Sequence, residues 1–242
     1  MSGGSPPAGS IEVPKPVNKL PGVTQRGLTP FIFRHIFLLT SVEPEPRHQH
    51  GVGPQGGLLM PSKRSGYIAT LVPKIHEVLN IDLTVPVDAK RIAEQLGGIV
   101  RTASSEEIPH EACIRKAGES FEILLKPGYP TRERFSIAHE LGHLFLHMGY
   151  LVDADRFSSL QEGQPGYSYD RVPSYHLGKS EEEYEANEFA SELLMPRQQF
   201  MEAVRANTTG GTCNIEALAD RFGVSRQAAA TRGRWLGVFE WE

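Results

Sequence analysis

Five residues near the middle of the chain, His139-Glu140-Leu141-Gly142-His143, place two imidazoles and a carboxylate at the spacing H-E-x-x-H. Residues four apart on an α-helix share a face, so both imidazoles can converge on one metal ion, with zinc the natural choice for such donors. Glu140, one step round, then faces the ion's bound water. Zinc brings the pKa of that water to about 7, and a neighbouring carboxylate can take the proton and return it to a leaving amine. The motif carries this meaning only on a helix. Phe135, Ala138, Leu141, Leu144, Phe145 and Met148 recur with helical period and predict one. Without that context the two histidines would be partly exposed polar residues and nothing more.

A catalytic site of this kind needs a third protein ligand. His147 lies eight residues beyond His139, about 12 Å along a straight helix, too far for both to reach one ion. It reads instead as a surface histidine or as one that supports a ligand from outside. A second helix is predicted over Ser180 to Met195, opened by the capping-box spacing Ser180-x-x-Glu183 and stopped by Pro196. Its apolar stripe is Ala186, Phe189, Ala190, Leu193 and Leu194, so an inward-looking ligand must lie on or beside that stripe. Glu183 and Glu182 both qualify, and Glu185 falls at the edge. Glu183 has the further merit that Asn187, one turn on, could orient a ligand histidine through its outer nitrogen. The plainer alternative is that Glu183 only closes the capping box and the acidic run is a solvated helix start.

The elements that must position these residues follow from local signals. A helix is expected from about Tyr67 through Ile75 and Val78, and another over Ala89 to Leu96, capped by Asp88 and stopped by Gly97. Gly98 to Ala103 reads as a strand. Ala112 to Arg115 and Phe121 to Lys126 read as a hairpin turned at Ala117-Gly118-Glu119. After Pro127-Gly128-Tyr129-Pro130, Thr131 is expected to cap the long helix that carries the motif to about Met148. Gly149 to Gly178 shows no clear period and reads as a long loop. Three short helices are predicted beyond it: Gln198 to Ala206, Ile215 to Phe222 and Arg226 to Leu236. The last two are split by Gly223-Val224-Ser225, in the manner of a helix-turn-helix.

Composition narrows the function classes. The chain has 242 residues, 25 Lys and Arg against 29 Asp and Glu, and a formal charge of -4, which does not suit a mainly electrostatic nucleic-acid binder. Its two cysteines, Cys113 and Cys213, form neither a C-x-x-C pair nor a disulfide framework, and this points to a reducing cytoplasm. The apolar run Phe31 to Thr40 is too short to span a bilayer and contains Arg34 and His35. Residues 1–61 hold 9 Gly and 10 Pro with no sustained period, so they are read as a disordered arm, with Met60 as an alternative first residue. The expected division is a catalytic domain over 62–196 and a helical helix-turn-helix-like unit over 197–242.

Two further features carry candidate roles. Cys113 falls on the first strand of the hairpin leading into the motif helix, where its thiolate could fill the fourth position on the ion and hold an enzyme off; the bland reading is a small buried strand residue. In the C-terminal unit, Arg221, Arg226, Arg232 and Arg234 could touch phosphates, but Ala228, Ala229 and Ala230 are poor readers of base edges, so direct DNA binding is not the expectation.

The run Arg134-Phe135-Ser136-Ile137-Ala138-His139-Glu140-Leu141-Gly142-His143, followed by Glu183-Tyr184-Glu185-Ala186-Asn187-Glu188-Phe189-Ala190-Ser191-Glu192-Leu193-Leu194-Met195-Pro196, resembles the ImmA/IrrE family of bacterial and phage zinc peptidases. The resemblance covers roughly residues 86–237. It implies an α+β, zincin-like metallopeptidase domain with a small antiparallel or mixed sheet, Zn²⁺ held by His139, His143 and Glu183, and Glu140 as the catalytic base. It also implies a cytoplasmic enzyme that cuts a helix-turn-helix transcriptional repressor and so releases a stress or defence-related operon. The interval of about forty residues between His143 and Glu183 is longer than the resemblance leads one to expect, and Tyr150 to Gly178 reads as an insertion shaping the cleft. Two rivals stand beside this: a DNA-binding regulator with a structural or vestigial zinc site, and a hydrolase of broad, toxin-like action.

Overall fold

Short-range chemistry starts most of the elements. The Asp88 carboxylate accepts the Arg91 N–H at 3.0 Å and opens one helix, while Asn214 and Ser225 accept from Ala217 and Ala228 and open two more. The computed structural model describes residues 62, 64–108, 110–163 and 181–240. In chain order the elements are α1 (Ser65–Val78), α2 (Ala89–Gln95), β1 (Ile99–Thr102), β2 (Ala112–Ala117), β3 (Ser120–Leu125), α3 (Pro130–Leu146), α4 (Ala154–Ser159), α5 (Glu181–Leu194), α6 (Arg197–Ala206), β4 (Thr208–Thr209), β5 (Thr212–Cys213), α7 (Ile215–Phe222) and α8 (Arg226–Trp235). The domain is thus mixed α+β, with eight helices and a small sheet among the described residues.

The main sheet has the order β1-β3-β2, with β1 parallel and β2 antiparallel to the central β3. The β2–β3 register pairs Ala112 with Leu125 and Ala117 with Ser120, leaving Gly118-Glu119 as a two-residue turn. Helix α3 lies between layers: it packs on β2 and β3 on one side and on α5 on the other, and α5 in turn packs on α1. This central placement explains why its C-terminal half, from Gly142 to Leu146, is buried all round rather than along one stripe. Phe135, expected on the apolar face, is only partly buried, whereas Ile137 is in the core.

Several expectations are corrected. Thr131 does not cap α3: the helix begins one residue earlier with Pro130 at its first position and Tyr129 as N-cap, because a fixed φ and a missing N–H suit proline there. The loop after Gly149 contains α4, capped by the Asp153 side chain, and is anchored by an aromatic group of Phe121, Tyr150 and Phe157. The small β4–β5 hairpin was not anticipated, although Gly210-Gly211, both with positive φ, is a recognisable turn signal. Ser180, and with it the expected capping box, lies outside the described residues, as do residues 1–61 and 164–180.

The C-terminal helices share the main core instead of forming their own. Phe200, Leu218, Phe222 and Ala229 belong to the same apolar cluster as Leu141 and Phe189. Polar ties add to this. Arg134 of α3 donates to the carbonyl of Gly223, whose φ of 61° makes the α7–α8 turn. Arg232 is buried, donating to Glu192 and to the Met195 carbonyl.

Candidate metal centre

His139 and His143 occupy one face of α3, and that face is turned toward α5. The approach is close because Gly142, on the same side, has no side chain: a Cβ there would stand 2.9 Å from the Ala186 Cα and 3.2 Å from the Phe189 Cβ. Glu183, one turn before Ala186, is thereby delivered to both imidazoles, and Asn187, the residue after Ala186, to His139.

The Nε2 atoms of His139 and His143 are 3.1 Å apart, and each is 3.3 Å from a different carboxylate oxygen of Glu183. Zinc–nitrogen and zinc–oxygen bonds of about 2.0–2.1 Å in a tetrahedron put neighbouring donor atoms about 3.3 Å apart. The three side chains therefore fit one small divalent ion, and they form the one such group among the described residues. Of the two carboxylates that the sequence left open, Glu183 and not Glu182 is in this group.

The ring nitrogens not facing the cluster are occupied. His139 Nδ1 donates to Asn187 Oδ1 at 3.1 Å, which fixes its tautomer and leaves Nε2 free to bind a cation. His143 Nδ1 lies 2.8 Å from Nδ1 of His147, and His147 Nε2 lies 3.0 Å from Glu185 Oε2. His147 is thus buried rather than at the surface, and Glu185, placed at the helix edge by periodicity, is inside. The first contact agrees with the reading of His147 as a support from outside, and the second, with Glu185, was not foreseen.

Electrostatics favour a cation. Burial pushes the His143 imidazole down to about 3, so it stays neutral. Burial alone would raise Glu183, but hydrogen bonds to His139 and His143 outweigh it and hold the carboxyl below the usual carboxylate range. Burial would likewise depress His139, yet Glu183 and Glu140 reverse the effect and raise it.

Glu140 is buried beside this cluster, and its Oε2 accepts the backbone N–H of Ile114 at 3.0 Å. Because β2 is an edge of the sheet, that amide points away from β3, and the carboxylate is held at the strand's outer rim. Cys113, the neighbouring residue, alternates to the other face of the sheet. It packs there with Ala103, Ile108 and Leu124, while Ala112 and Ile114 join the main core. The structure does not bring its sulfur to the cluster.

A helix bearing H-E-x-x-H, crossed by a second helix that supplies a carboxylate and lying against the edge strand of a small mixed sheet, defines the metallopeptidase class. Residues 122–233 match the Peptidase_M78 family model, the IrrE N-terminal-like domain. No curated protein matches the chain. Among the described residues no helix is long and apolar enough to cross a membrane.

Proposed function

We propose that the chain is a zinc-dependent endopeptidase in which His139, His143 and Glu183 hold the ion and Glu140 is the general base and then the general acid. The observation that carries this reading is the set of donor distances among the three ligands, with a second carboxylate, Glu140, adjacent and outside the ligand set. A structural zinc would use all four places for protein ligands, usually Cys and His. When bound, zinc polarises the scissile carbonyl and acidifies a water molecule.

The chain's own groups supply the rest. Asn187 keeps the His139 proton on Nδ1. Ile114 N–H orients the Glu140 carboxylate, which takes a proton and hands it to the leaving nitrogen.

The partner is proposed from the resemblance: a cytoplasmic helix-turn-helix repressor, cut at one place to release a stress or defence-related operon. Residues 62–196 act as the catalytic body. The helical unit, residues 197–242, acts as a buttress and not as a DNA reader, because Arg221 is spent on the Leu83 and Thr84 carbonyls and Arg232 on Glu192. That engagement weighs against the rival DNA-binding regulator.

Glu140→Gln is the test, in cells and with purified protein, against a small helix-turn-helix protein encoded beside this chain. Cleavage is expected to fall about a hundred- to ten-thousand-fold with zinc content unchanged. Regulation that is indifferent to the substitution would support the regulator instead, and rapid digestion of casein by the parent would indicate a broad hydrolase.

A further inference from the structure

Behind His143 runs a chain of buried polar groups that the proposed chemistry does not use. His143 Nδ1 meets His147 Nδ1 at 2.8 Å, His147 Nε2 meets Glu185 Oε2 at 3.0 Å, and Glu185 Oε2 lies 3.7 Å from Nε of Arg64. Arg64 also donates to the Leu146 carbonyl at the end of α3. His143, His147 and Glu185 are each at most 4% exposed, so their hydrogen bonds are made inside the protein and not with bulk water.

The geometry of this chain holds the His143 ring from behind. His147 is clamped between His143 Nδ1 and Glu185 Oε2. With His147 donating from Nε2 to Glu185, its Nδ1 accepts from His143 Nδ1, and the Nε2 lone pair of His143 faces His139 and Glu183. Arg64, at the start of α1, stands beside the same carboxylate oxygen and ties the chain to a third helix.

We propose that His147 and Glu185, anchored by Arg64, are positioning residues for the metal centre: they fix His143 in the tautomer and ring orientation that present Nε2 to the ion. This rests on the reading of His139, His143 and Glu183 as metal ligands. It gives the two ligand histidines different outer supports, an amide for His139 and an imidazole–carboxylate pair for His143. A carboxylate reached through an intervening imidazole still polarises the ligand, since hydrogen bonds in series strengthen one another.

The experiment is zinc affinity of the full-length protein, measured by competition with a chromophoric chelator at fixed pH, together with ¹⁵N imidazole spectra. His147→Leu, which keeps bulk and removes the acceptor, should weaken zinc binding about 10- to 100-fold. His147→Gln, whose amide oxygen can accept the His143 proton, should recover most of that loss, and Glu185→Gln should fall between. In the parent, the spectra should show the proton on Nδ1 of His143 and on Nε2 of His147. Zinc binding by His147→Leu within about twofold of the parent, equal losses in the Leu and Gln variants, or a proton on Nδ1 of His147 would overturn the proposal while leaving the metal centre intact. If the Leu variant fails to fold by circular dichroism, Glu185→Gln and the parent spectra decide. A folded parent that takes up no zinc overturns the metal centre itself, and this proposal with it.

Discussion

A methyl group on Gly142 would stand 2.9 Å from the Cα of Ala186. The neighbouring atom is backbone, so it cannot swing aside as a side chain would. Gly142→Ala in an isolated helix would add about 1 kcal/mol of helix stability. Here it must push α3 and α5 apart, and overpacking of that kind costs about 1–3 kcal/mol. The net expectation is a modest loss in urea unfolding together with weaker zinc binding, because Glu183 and Asn187 ride on the displaced helix. A variant as stable as the parent with unchanged zinc affinity would show that the helix contact is not what sets the site.

Glu183 and Glu182 are adjacent carboxylates with different expected fates. Glu183→Gln should abolish the difference in thermal midpoint between zinc-loaded and chelator-treated protein. Glu182→Gln should leave it as in the parent. In the parent, zinc at a hundred times its dissociation constant adds about 2.7 kcal/mol to folding stability, and chelator should remove that reversibly. If the two variants behave alike in calorimetry, the third ligand has been misplaced.

His76 offers a test of pH dependence away from the metal. It is buried, and its Nε2 donates to the Leu193 carbonyl at 3.0 Å. Burial lowers its pKa, against smaller opposing effects of that carbonyl and of Glu192. The unfolded chain binds a proton at about pH 6.5 that the folded protein refuses. The contribution of His76 is therefore intact above that pH and is lost as pH falls toward the lower folded value. His76→Gln, which keeps a donor for Leu193 and cannot titrate, should lose less stability than the parent between about pH 7.5 and pH 5.5, measured by urea unfolding. An equal loss in both would contradict the assignment.

Two arginines of α8 should differ sharply. Arg232 is 3% exposed and paired with Glu192, whose other oxygen accepts the Arg197 N–H at the start of α6. Arg232→Ala strands a buried carboxylate and should cost about 3–5 kcal/mol. Arg226 pairs with Glu216 in solvent, and Arg226→Ala should cost under about 1 kcal/mol. Denaturant midpoints for the two variants that coincide would mean that the C-terminal unit is not tied to the body through this pair.

Much of the site was legible because its signals are local. Helical spacing placed His139 and His143 together and Asn187 one turn from Glu183, and the stripe of Ala186, Phe189, Ala190, Leu193 and Leu194 is fully buried as its period implies. Caps at Asp88 and Ser225 fall where their side chains predict. The misreadings share one cause. Glu185 looked peripheral on a helical wheel, and His147 could not be told from a surface residue, because a wheel describes one helix and not what surrounds it. With α3 enclosed by the sheet and α5, polar residues on nearly every side of its C-terminal half must find partners inside the protein.

The amino-acid order alone determined which groups could do chemistry and which helices would carry them, since periodicity and capping act over a few residues. Tertiary packing decided which of the neighbouring carboxylates meets the histidines, turned Cys113 to the far face of the sheet, and absorbed Arg221 and Arg232 into internal contacts. Those outcomes depend on how closely two helices approach and which face of a strand is turned inward. Distances of that sort are set by atoms far apart in the chain, and no local rule of spacing contains them.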